Sequence, residues 1–488
     1  MKASSANLLS LIKGPKQFVI PIYQRTYSWH QVQCEQLFKD ILRVSDNSSD
    51  LIESQGHFIG SVVYFQESIH TVSDVPRLLV IDGQQRLTTI TLLIHTLAEF
   101  ISEHPDLLET NATKLKNYYL FNTEEDNDLR FKLLLTRRDK QTLIELLKGI
   151  APSEPTSQRL LENYQFFKSK INRDNAAAVY NGLLHLFVVD VALEKGIDNP
   201  QLIFESLNST GLDLSQADLI RNYMLMGQQV EQQTLLYEQF WFPMEQNYGN
   251  EYSKRFDSFI RDYLSVKTGN ITKIGHVYEA FKQFAKDKIT DNINELVADI
   301  HCFSGFYVNI VLHKEPRPVL LKAFKRISRL KVEVSYPFLL AVYADYADKQ
   351  LSESEFEKIL CLVENYVFRR AICGIPTNSL NKTFSNLYQS VRKERYLESV
   401  QAAFLLLSSY KRFPSDTEFK AELMNKDVYN FRNRNYLLDR LENYQRKEVV
   451  VIAEYTIEHI LPQNPNLSSA WKNMLGEHWQ QVQETYLH

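Results

Sequence analysis

The chain changes from strand to helix within one stretch, VIDGQQRLTT at residues 80–89. A short apolar run, Leu78 to Ile81, lies there between Pro76 and Gly83. After the glycine, apolar residues recur at helical spacing, at Ile90, Leu93, Ile94, Leu97 and Ile101. This pattern predicts a strand, a tight turn and a helix. The N–H groups of the first helical turn would then carry the positive end of the helix dipole, which favours bound phosphate.

The polar side chains of this stretch suit phosphate chemistry. Arg86 can donate two parallel hydrogen bonds to phosphate oxygens, and Thr88 and Thr89 can add hydroxyl groups. Asp82 can hold a divalent cation or orient a water molecule. The same residues also suit a plain helix start at which Asp82 and Arg86 form a surface ion pair, so both interpretations stay open.

Composition indicates a folded protein of two or three domains. The 488 residues are 44% hydrophobic and 12% aromatic, and no Gly/Ser-rich or Pro-rich linker interrupts them. Four cysteines without a C-x-x-C pair are typical of a reducing compartment. Because the start of the chain lacks an apolar signal segment, we expect a cytoplasmic protein without a membrane segment.

The formal net charge of -4 gives no overall attraction to nucleic acid, so DNA contacts require local basic surfaces. Three groups are candidates: Arg130, Lys132, Arg137, Arg138 and Lys140; Arg369 and Arg370; Arg432, Arg434, Arg440, Arg446 and Lys447. Acidic residues such as Asp139, Asp439 and Glu442 interleave with them, which is more typical of a solvated helix face than of a DNA groove.

Strand-like and helical patterns divide unevenly along the chain. Three strand-like runs, 18–22, 58–65 and 78–81, lie in the first hundred residues, and almost everything afterward has amphipathic helical periodicity. The predicted fold is therefore α+β and mainly α. Residues 122–128 and 313–318 are predicted loops.

Two further polar segments lie before and after residues 80–89. PIYQRTYSW, residues 21–29, sets Gln24 and Arg25 between aromatic residues, a pattern that can stack a base and reach a phosphate or simply anchor the next helix. In residues 204–222, Ser215 and Asp218 predict a helix start. Asp218, Arg221 and Asn222 would share one face of that helix.

The third segment is YTIEHILPQ, residues 455–463. A carboxylate followed by histidine in an apolar strand is the first half of a ββα-metal nuclease motif, in which the acid ligates a divalent ion and the histidine accepts a proton from water. Glu458 and His459 would take these roles. A buried histidine that is hydrogen-bonded to its neighbour is the structural alternative.

The three segments together, in this order, resemble the GmrSD-type restriction endonuclease family. The matching stretches are residues 20–29, 58–63, 80–89, 204–222 and 457–463, with further similarity at 369–374 together with Asn378 and at 436–442. The resemblance implies a ParB/sulfiredoxin-like small mixed sheet with helices, a large helical middle region and a partial ββα HNH element. It implies a ParB-like nucleotide-binding and hydrolysing domain over 1–228, a helical domain over 229–452, and the first part of an HNH nuclease over 453–488.

The resemblance also implies the site residues. Those of the nucleotide site are Gln24, Arg25, Gly83, Gln84, Gln85, Arg86, Thr88, Thr89, Asn208, Asp218, Arg221 and Asn222. Asp82 and Arg86 would be catalytic there, and Asp82 would also bind metal. In the nuclease, Glu458 would bind the metal and His459 would be the general base.

The implied protein is a type IV-like phage-defence restriction factor. It binds and hydrolyses a nucleoside triphosphate, senses foreign or modified double-stranded DNA, and cuts it with Mg²⁺ or Mn²⁺. A homodimer or a partner subunit stays open. Only 29 residues follow His459, and they form one helical pattern around Trp471, Leu475 and Trp479, so we expect an incomplete HNH motif. The alternatives are a nucleotide-gated DNA sensor or clamp that does not cut, and an RNase.

Overall fold

The structure is a computed structural model that describes residues 1–47, 56–66, 75–194, 197–208, 214–448, 450 and 460–486. Helices account for 64% of the chain, and one small mixed sheet lies near its start, which confirms the prediction of a mainly α, α+β fold. The chain forms two compact units, Met1–Gln239 (unit 1) and Phe240–His488 (unit 2). The three-domain division stays a prediction.

The sheet of unit 1 has the strand order β1-β6-β3-β4-β2-β5. Its strands are β1 (Lys2–Asn7), β2 (Gln17–Val19), β3 (His57–Gln66), β4 (Arg77–Asp82), β5 (Leu133–Leu134) and β6 (Leu186–Leu193). The pairs β1–β6 and β3–β4 are antiparallel, and β6–β3, β4–β2 and β2–β5 are parallel. The three predicted strands are confirmed as β2, β3 and β4. The expectation of helix beyond residue 100 is wrong at β5 and β6, because sheet pairing overrides the local pattern there.

The rest of unit 1 is mainly helical. Its helices are α1 (Leu8–Ile12), α2 (Gln31–Asn47), α3 (Gln84–Glu103), α4 (Ala112–Tyr119), α5 (Arg137–Leu147), α6 (Gln158–Lys170), α7 (Ala176–Leu184), α8 (Pro200–Asn208), α9 (Gln216–Leu225) and α10 (Val230–Leu236). Helix α3 lies in the core, since Ile90, Leu93 and Leu97 are fully buried. This burial fixes the start of α3 against β4, where the candidate site lies.

The described residues of unit 2 form helices joined by turns and loops, and no strand is assigned among them. Its helices are α11 (Phe242–Tyr248), α12 (Tyr252–Thr268), α13 (Val277–Val311), α14 (Pro318–Arg329), α15 (Tyr336–Ala347), α16 (Glu353–Ile372), α17 (Leu380–Leu387), α18 (Tyr396–Leu405), α19 (Asp416–Met424), α20 (Arg434–Glu442), α21 (Ser469–Leu475) and α22 (Trp479–Tyr486). Stacked and edge-on aromatic rings fill the core around α12, including Tyr248, Phe256, Phe259 and Tyr307.

Two sequence predictions in unit 2 have different outcomes. The loop at 313–318 is confirmed, since α13 ends at Val311 and α14 begins at Pro318. The single helical pattern near the end of the chain is wrong. Gly476 follows α21 and has a φ of +81°, a left-handed conformation that glycine adopts without a Cβ clash. This conformation ends α21 and separates it from α22. Among the residues that the structure describes, no helix is both long and apolar enough to cross a bilayer.

Candidate nucleotide site at the start of helix α3

Strand β4 turns into helix α3 at a single glycine. Gly83 has a φ of +97°, and a Cβ built on it would lie 2.8 Å from the carbonyl oxygen of Ser61 on β3. Both the backbone conformation and the close approach of β3 therefore require glycine here. The turn directs Asp82, the last residue of β4, and Arg86, in the first turn of α3, toward the same part of β3.

The positions of Asp82 and Arg86 depend on two residues of β3, Ser61 and Gly60, that are not among the predicted site residues. The Ser61 hydroxyl donates to Asp82 Oδ2 at 2.9 Å, and Arg86 Nη1 donates to the Ser61 carbonyl at 3.0 Å. The distance from Arg86 Nη1 to Asp82 Oδ2 is 3.5 Å. A Cβ on Gly60, which has a φ of +105°, would lie 2.8 Å from the Arg86 guanidinium carbon. The missing side chain of Gly60 thus makes room for Arg86.

The two glutamines of the motif hold the loop of residues 21–29. Gln84 Nε2 donates to the carbonyl of Arg25 at 3.0 Å. Gln85 Oε1 accepts from the backbone N–H groups of Ser28 at 2.8 Å and Trp29 at 3.1 Å. Their side-chain amides are thereby committed to the loop backbone. The predicted contact of Gln84 and Gln85 with a nucleotide stays a prediction.

Other side chains attach the same loop to unit 1. Gln24 Nε2 donates to the carbonyl of Ile81 at 3.0 Å, so the loop and strand β4 are tied together directly. Asp139, on α5, accepts from the Tyr27 N–H at 2.6 Å, and burial raises the pKa of the Asp139 carboxyl. Asn163, on α6, donates to the Trp29 carbonyl and to the Tyr27 hydroxyl. No local sequence signal identifies Asp139 or Asn163 as partners of this loop, because each is more than 100 residues away.

The hydroxyls of Thr88 and Thr89 point into the helix. Thr88 donates to the Gln84 carbonyl at 2.7 Å and Thr89 to the Gln85 carbonyl at 2.8 Å. Thr89 Oγ1 also lies 2.6 Å from the Tyr27 hydroxyl. Both threonines are almost fully buried. These side chains stabilise the packing behind the site, and their predicted contact with a nucleotide stays a prediction.

Helix α9 adds the third segment to this region. Arg221 Nε donates to the Tyr23 carbonyl at 2.7 Å, and Arg221 Nη2 pairs with Asp218 Oδ1 at 2.7 Å. Ser215 is the N-cap of α9, as the sequence predicts, and its hydroxyl also donates to Asp218 Oδ2. Arg221 is 4% exposed. The loop of residues 21–29 is thus held by α9 as well as by α3.

The electrostatic environment of Arg25 connects all three segments. Burial lowers the pKa of the Arg25 guanidinium, Asp218 and Asp82 raise it, and Arg221 lowers it. Arg25 therefore lies in the field of Asp82, at the end of β4, and of the Asp218–Arg221 pair on α9. Including Arg86, the cluster has three guanidinium groups and two carboxylates, so an anion is attracted to it.

The remaining predicted residues are placed as follows. Asn222, on α9, is 1% exposed, and its Oδ1 has no hydrogen-bond partner among the described residues. Asn208 ends helix α8, but its side chain is outside the described part of the chain. Glu458 and His459 also lie outside the described residues. Within the described ranges, no three His, Cys, Asp or Glu side chains form a group suited to a metal ion.

Comparison with known protein families defines the class of protein. The family model for the N-terminal domain of GmrSD restriction endonucleases matches residues 8–225, and the model for their C-terminal domain matches residues 413–488. Together the matches cover more than half of the chain, so the class is that of phage-defence restriction nucleases, for which DNA is the partner. The chain belongs to the GmrSD restriction endonuclease family. A search of curated proteins found no match.

Proposed function

We propose that the chain is a nucleotide-regulated DNA endonuclease of the cytoplasm. The site at the start of α3 binds and hydrolyses a nucleoside triphosphate and controls a metal-dependent HNH centre that contains Glu458 and His459. Foreign or modified double-stranded DNA is the substrate. The main support is that Arg25, Asp82, Arg86 and Asp218, from three distant parts of the chain, lie in one region of unit 1.

The charges of the cluster suggest how it would hold a nucleotide. Arg25 and Arg86 supply two cations beside the positive end of α3, a combination that favours phosphate groups. Arg221 is bound to Asp218 and to the Tyr23 carbonyl, so we assign it to fixing the loop rather than to the phosphates. Because the Ser61 carbonyl accepts a hydrogen bond from Arg86 and Gly60 leaves room for the guanidinium, the charge of Arg86 is preorganised for the transferred phosphoryl group.

Asp82 fits a metal–nucleotide complex better than a metal ion alone. One of its oxygens already accepts from Ser61 and lies near Arg86, which leaves the other for a ligand. Mg²⁺ commonly takes one or two carboxylates together with phosphate oxygens and water. Asp82 would hold such an ion, which would neutralise phosphate charge when bound. The chain itself contributes the fixed position of the carboxylate and of the two arginines.

Phosphate release tests the proposal at this site. We would incubate the purified chain with ATP, GTP, CTP or UTP and Mg²⁺, with and without phage DNA. Asp82→Ala and Arg86→Ala should each lower turnover at least tenfold, a loss of about 1.4 kcal/mol or more of transition-state stabilisation. Arg173 and Asp174, which are adjacent in sequence, are exposed in unit 1. Their alanine variants are matched controls and should hydrolyse nucleotide at the normal rate.

The possible results separate the proposed enzyme from its alternatives. Unchanged turnover in both site variants would reject the assignment of Asp82 and Arg86. No turnover by the unmodified chain, combined with salt-dependent retention of intact DNA in the presence of nucleotide, would instead indicate a nucleotide-gated DNA clamp. Cleavage of RNA in preference to DNA would indicate an RNase.

A further inference from the structure

Helix α14 of unit 2 is basic along its solvent side. Residues 316–332 include six lysines or arginines and no acidic residue, although the whole chain has a net charge of -4. The apolar side of the helix, with Leu320, Phe324 and Ile327, is buried. The basic stripe, defined here as Lys322, Lys325 and Arg329, is exposed. A long stretch without acids is unlike the interleaved charges of an ordinary solvated helix face.

The spacing of the basic stripe suits a regularly charged polymer. Positions 322, 325 and 329 are separated by three and four residues, so their side chains lie along one line on the helix. The line is about 10 Å long at 1.5 Å per residue, close to the axial rise of about three nucleotides of one DNA strand. Adjacent lysines on this line can therefore contact successive phosphates.

Two charges of the stripe are available for a ligand. In the described part of the chain, no carboxylate lies within ion-pairing distance of Lys322 or Lys325. Arg329 is paired with Asp439 but keeps 45% of its side chain exposed. The next cation, Arg326, points inward, where its Nε donates to Glu364 at 2.8 Å, and so it belongs to the core of unit 2.

The basic groups selected from sequence are less suitable. Lys132 is buried and donates to the carbonyl of Gly14. Arg370 is 2% exposed and donates to the carbonyls of Tyr410 and Pro376. Four other cations of these groups pair with carboxylates: Lys140 with Asp128, Arg369 with Asp416, Arg440 with Glu364 and Arg446 with Glu442. Arg138, Arg432, Arg434 and Lys447 of these groups are also exposed, but Asp139, Asp439 and Glu442 interleave with them, whereas residues 316–332 contain no acidic residue. This difference favours α14 as the basic surface.

We propose that the basic stripe of α14 binds the phosphate backbone of double-stranded DNA. The proposal rests on DNA as the substrate in the proposed function, but it needs neither nucleotide turnover nor cleavage. Backbone contacts of this kind are independent of base sequence and weaken with salt as condensed counterions are displaced. The stripe would hold the duplex on unit 2 and would not select its sequence.

Salt-dependent DNA binding tests this assignment. The double variant Lys322→Gln/Lys325→Gln removes two charges and keeps good helix formers. The matched control is Lys358→Gln/Lys382→Gln, which removes two exposed lysines from α16 and α17 of the same unit. Binding of a labelled duplex of arbitrary sequence would be measured over a series of KCl concentrations, by the full chain and both variants. Phosphate release without DNA would be measured in parallel.

The stripe variant should bind DNA at least tenfold more weakly at low salt, and its plot of log affinity against log salt should be about two units less steep. The control should match the unmodified chain in affinity and slope. Equal binding by all three proteins, or no DNA binding by the unmodified chain, would overturn the proposal. If the stripe variant binds DNA normally but no longer binds anionic phospholipid vesicles, the stripe contacts a membrane surface instead. Phosphate release without DNA should be the same in both variants as in the unmodified chain. If the unmodified chain releases no phosphate but binds DNA through the stripe, the proposed function fails and the DNA-binding proposal stands.

Discussion

At the scale of single residues, the candidate site depends on glycines whose missing side chains make room for others. Gly83 lets α3 begin against β3, and Gly60 leaves space for the Arg86 guanidinium. The sequence predicted the first, because Gly83 lies between a strand pattern and a helix pattern. It also contained a signal for the second, since a lone glycine inside a strand pattern indicates close approach of another group. Only the structure identifies that group as Arg86.

Replacing Gly60 by alanine tests whether the position of Arg86 matters. The new Cβ would displace the guanidinium, and we expect nucleotide turnover to fall at least tenfold. Gly149→Ala is the control, because Gly149 has a φ of +70° and open space around it. Both variants should lose about 1–3 kcal/mol of unfolding free energy from backbone strain, but only Gly60→Ala should lose turnover. Equal turnover in the two variants would show that this packing is irrelevant to activity.

A buried carboxyl in unit 2 predicts a pH-dependent stability. Burial raises the pKa of Asp262 to about 7, above its usual value of 3.8, while Arg261 opposes the shift. The folded state therefore binds this proton more tightly than the unfolded chain does. The resulting stabilisation is complete below about pH 4 and is lost as the pH rises toward 7.

Asp262→Asn should remove this part of the pH dependence. Its urea midpoint should change less than that of the unmodified chain between pH 4 and pH 7, and at pH 8 the variant should be at least as stable. Asp348→Asn, at an exposed position of the same unit, should leave the profile unchanged. A steeper profile for Asp262→Asn would mean that the carboxyl is ionised in the fold.

At the scale of elements, the loop of residues 21–29 is held in place by four helices, α3, α5, α6 and α9. Each of these helices contributes a side chain that bonds the loop backbone: Gln85, Asp139, Asn163 and Arg221. Arg25 is therefore presented by a fixed loop. Displacement of any of these helices would be transmitted to Arg25, so the loop is a candidate for coupling nucleotide binding to the rest of unit 1.

The two motif glutamines should differ in their effect on stability. Gln85→Leu leaves the partly buried N–H groups of Ser28 and Trp29 without their acceptor, which should cost about 1 kcal/mol or more for each group. Gln84→Leu removes one bond to the Arg25 carbonyl, at a cost of about 0.5–1.5 kcal/mol. Urea unfolding of both variants measures the difference. Equal losses, or a larger loss for Gln84→Leu, would contradict this account of the loop.

Sequence patterns predicted the elements of the site better than its connections. The periodicity of residues 78–101 identified β4 and α3, and Ser215 identified the start of α9. The strand β6 was missed, because its residues also suit a helix and only pairing with β1 and β3 distinguishes the two. The partners of the loop were missed for a similar reason, since Asp139 and Asn163 come close to it only through tertiary packing. The basic charges of α14 can be counted in the sequence. Which of them face solvent is known only from the structure.

At the scale of the whole molecule, the two matched family domains lie in different compact units. The candidate nucleotide site is in unit 1, and residues 413–488, which match the C-terminal domain of the family, are in unit 2. A regulated nuclease requires communication between them. We therefore predict that damage to the nucleotide site affects DNA cleavage, and that damage to the nuclease leaves nucleotide turnover unchanged.

The most direct test measures both activities of Asp82→Ala and His459→Ala in the same tubes, with nucleoside triphosphate, Mg²⁺ or Mn²⁺, and supercoiled phage DNA. We predict that Asp82→Ala loses phosphate release and DNA cleavage together, whereas His459→Ala loses cleavage and keeps phosphate release. Cleavage by Asp82→Ala at the rate of the unmodified chain, with phosphate release lost, would contradict the claim that the nucleotide site controls the nuclease.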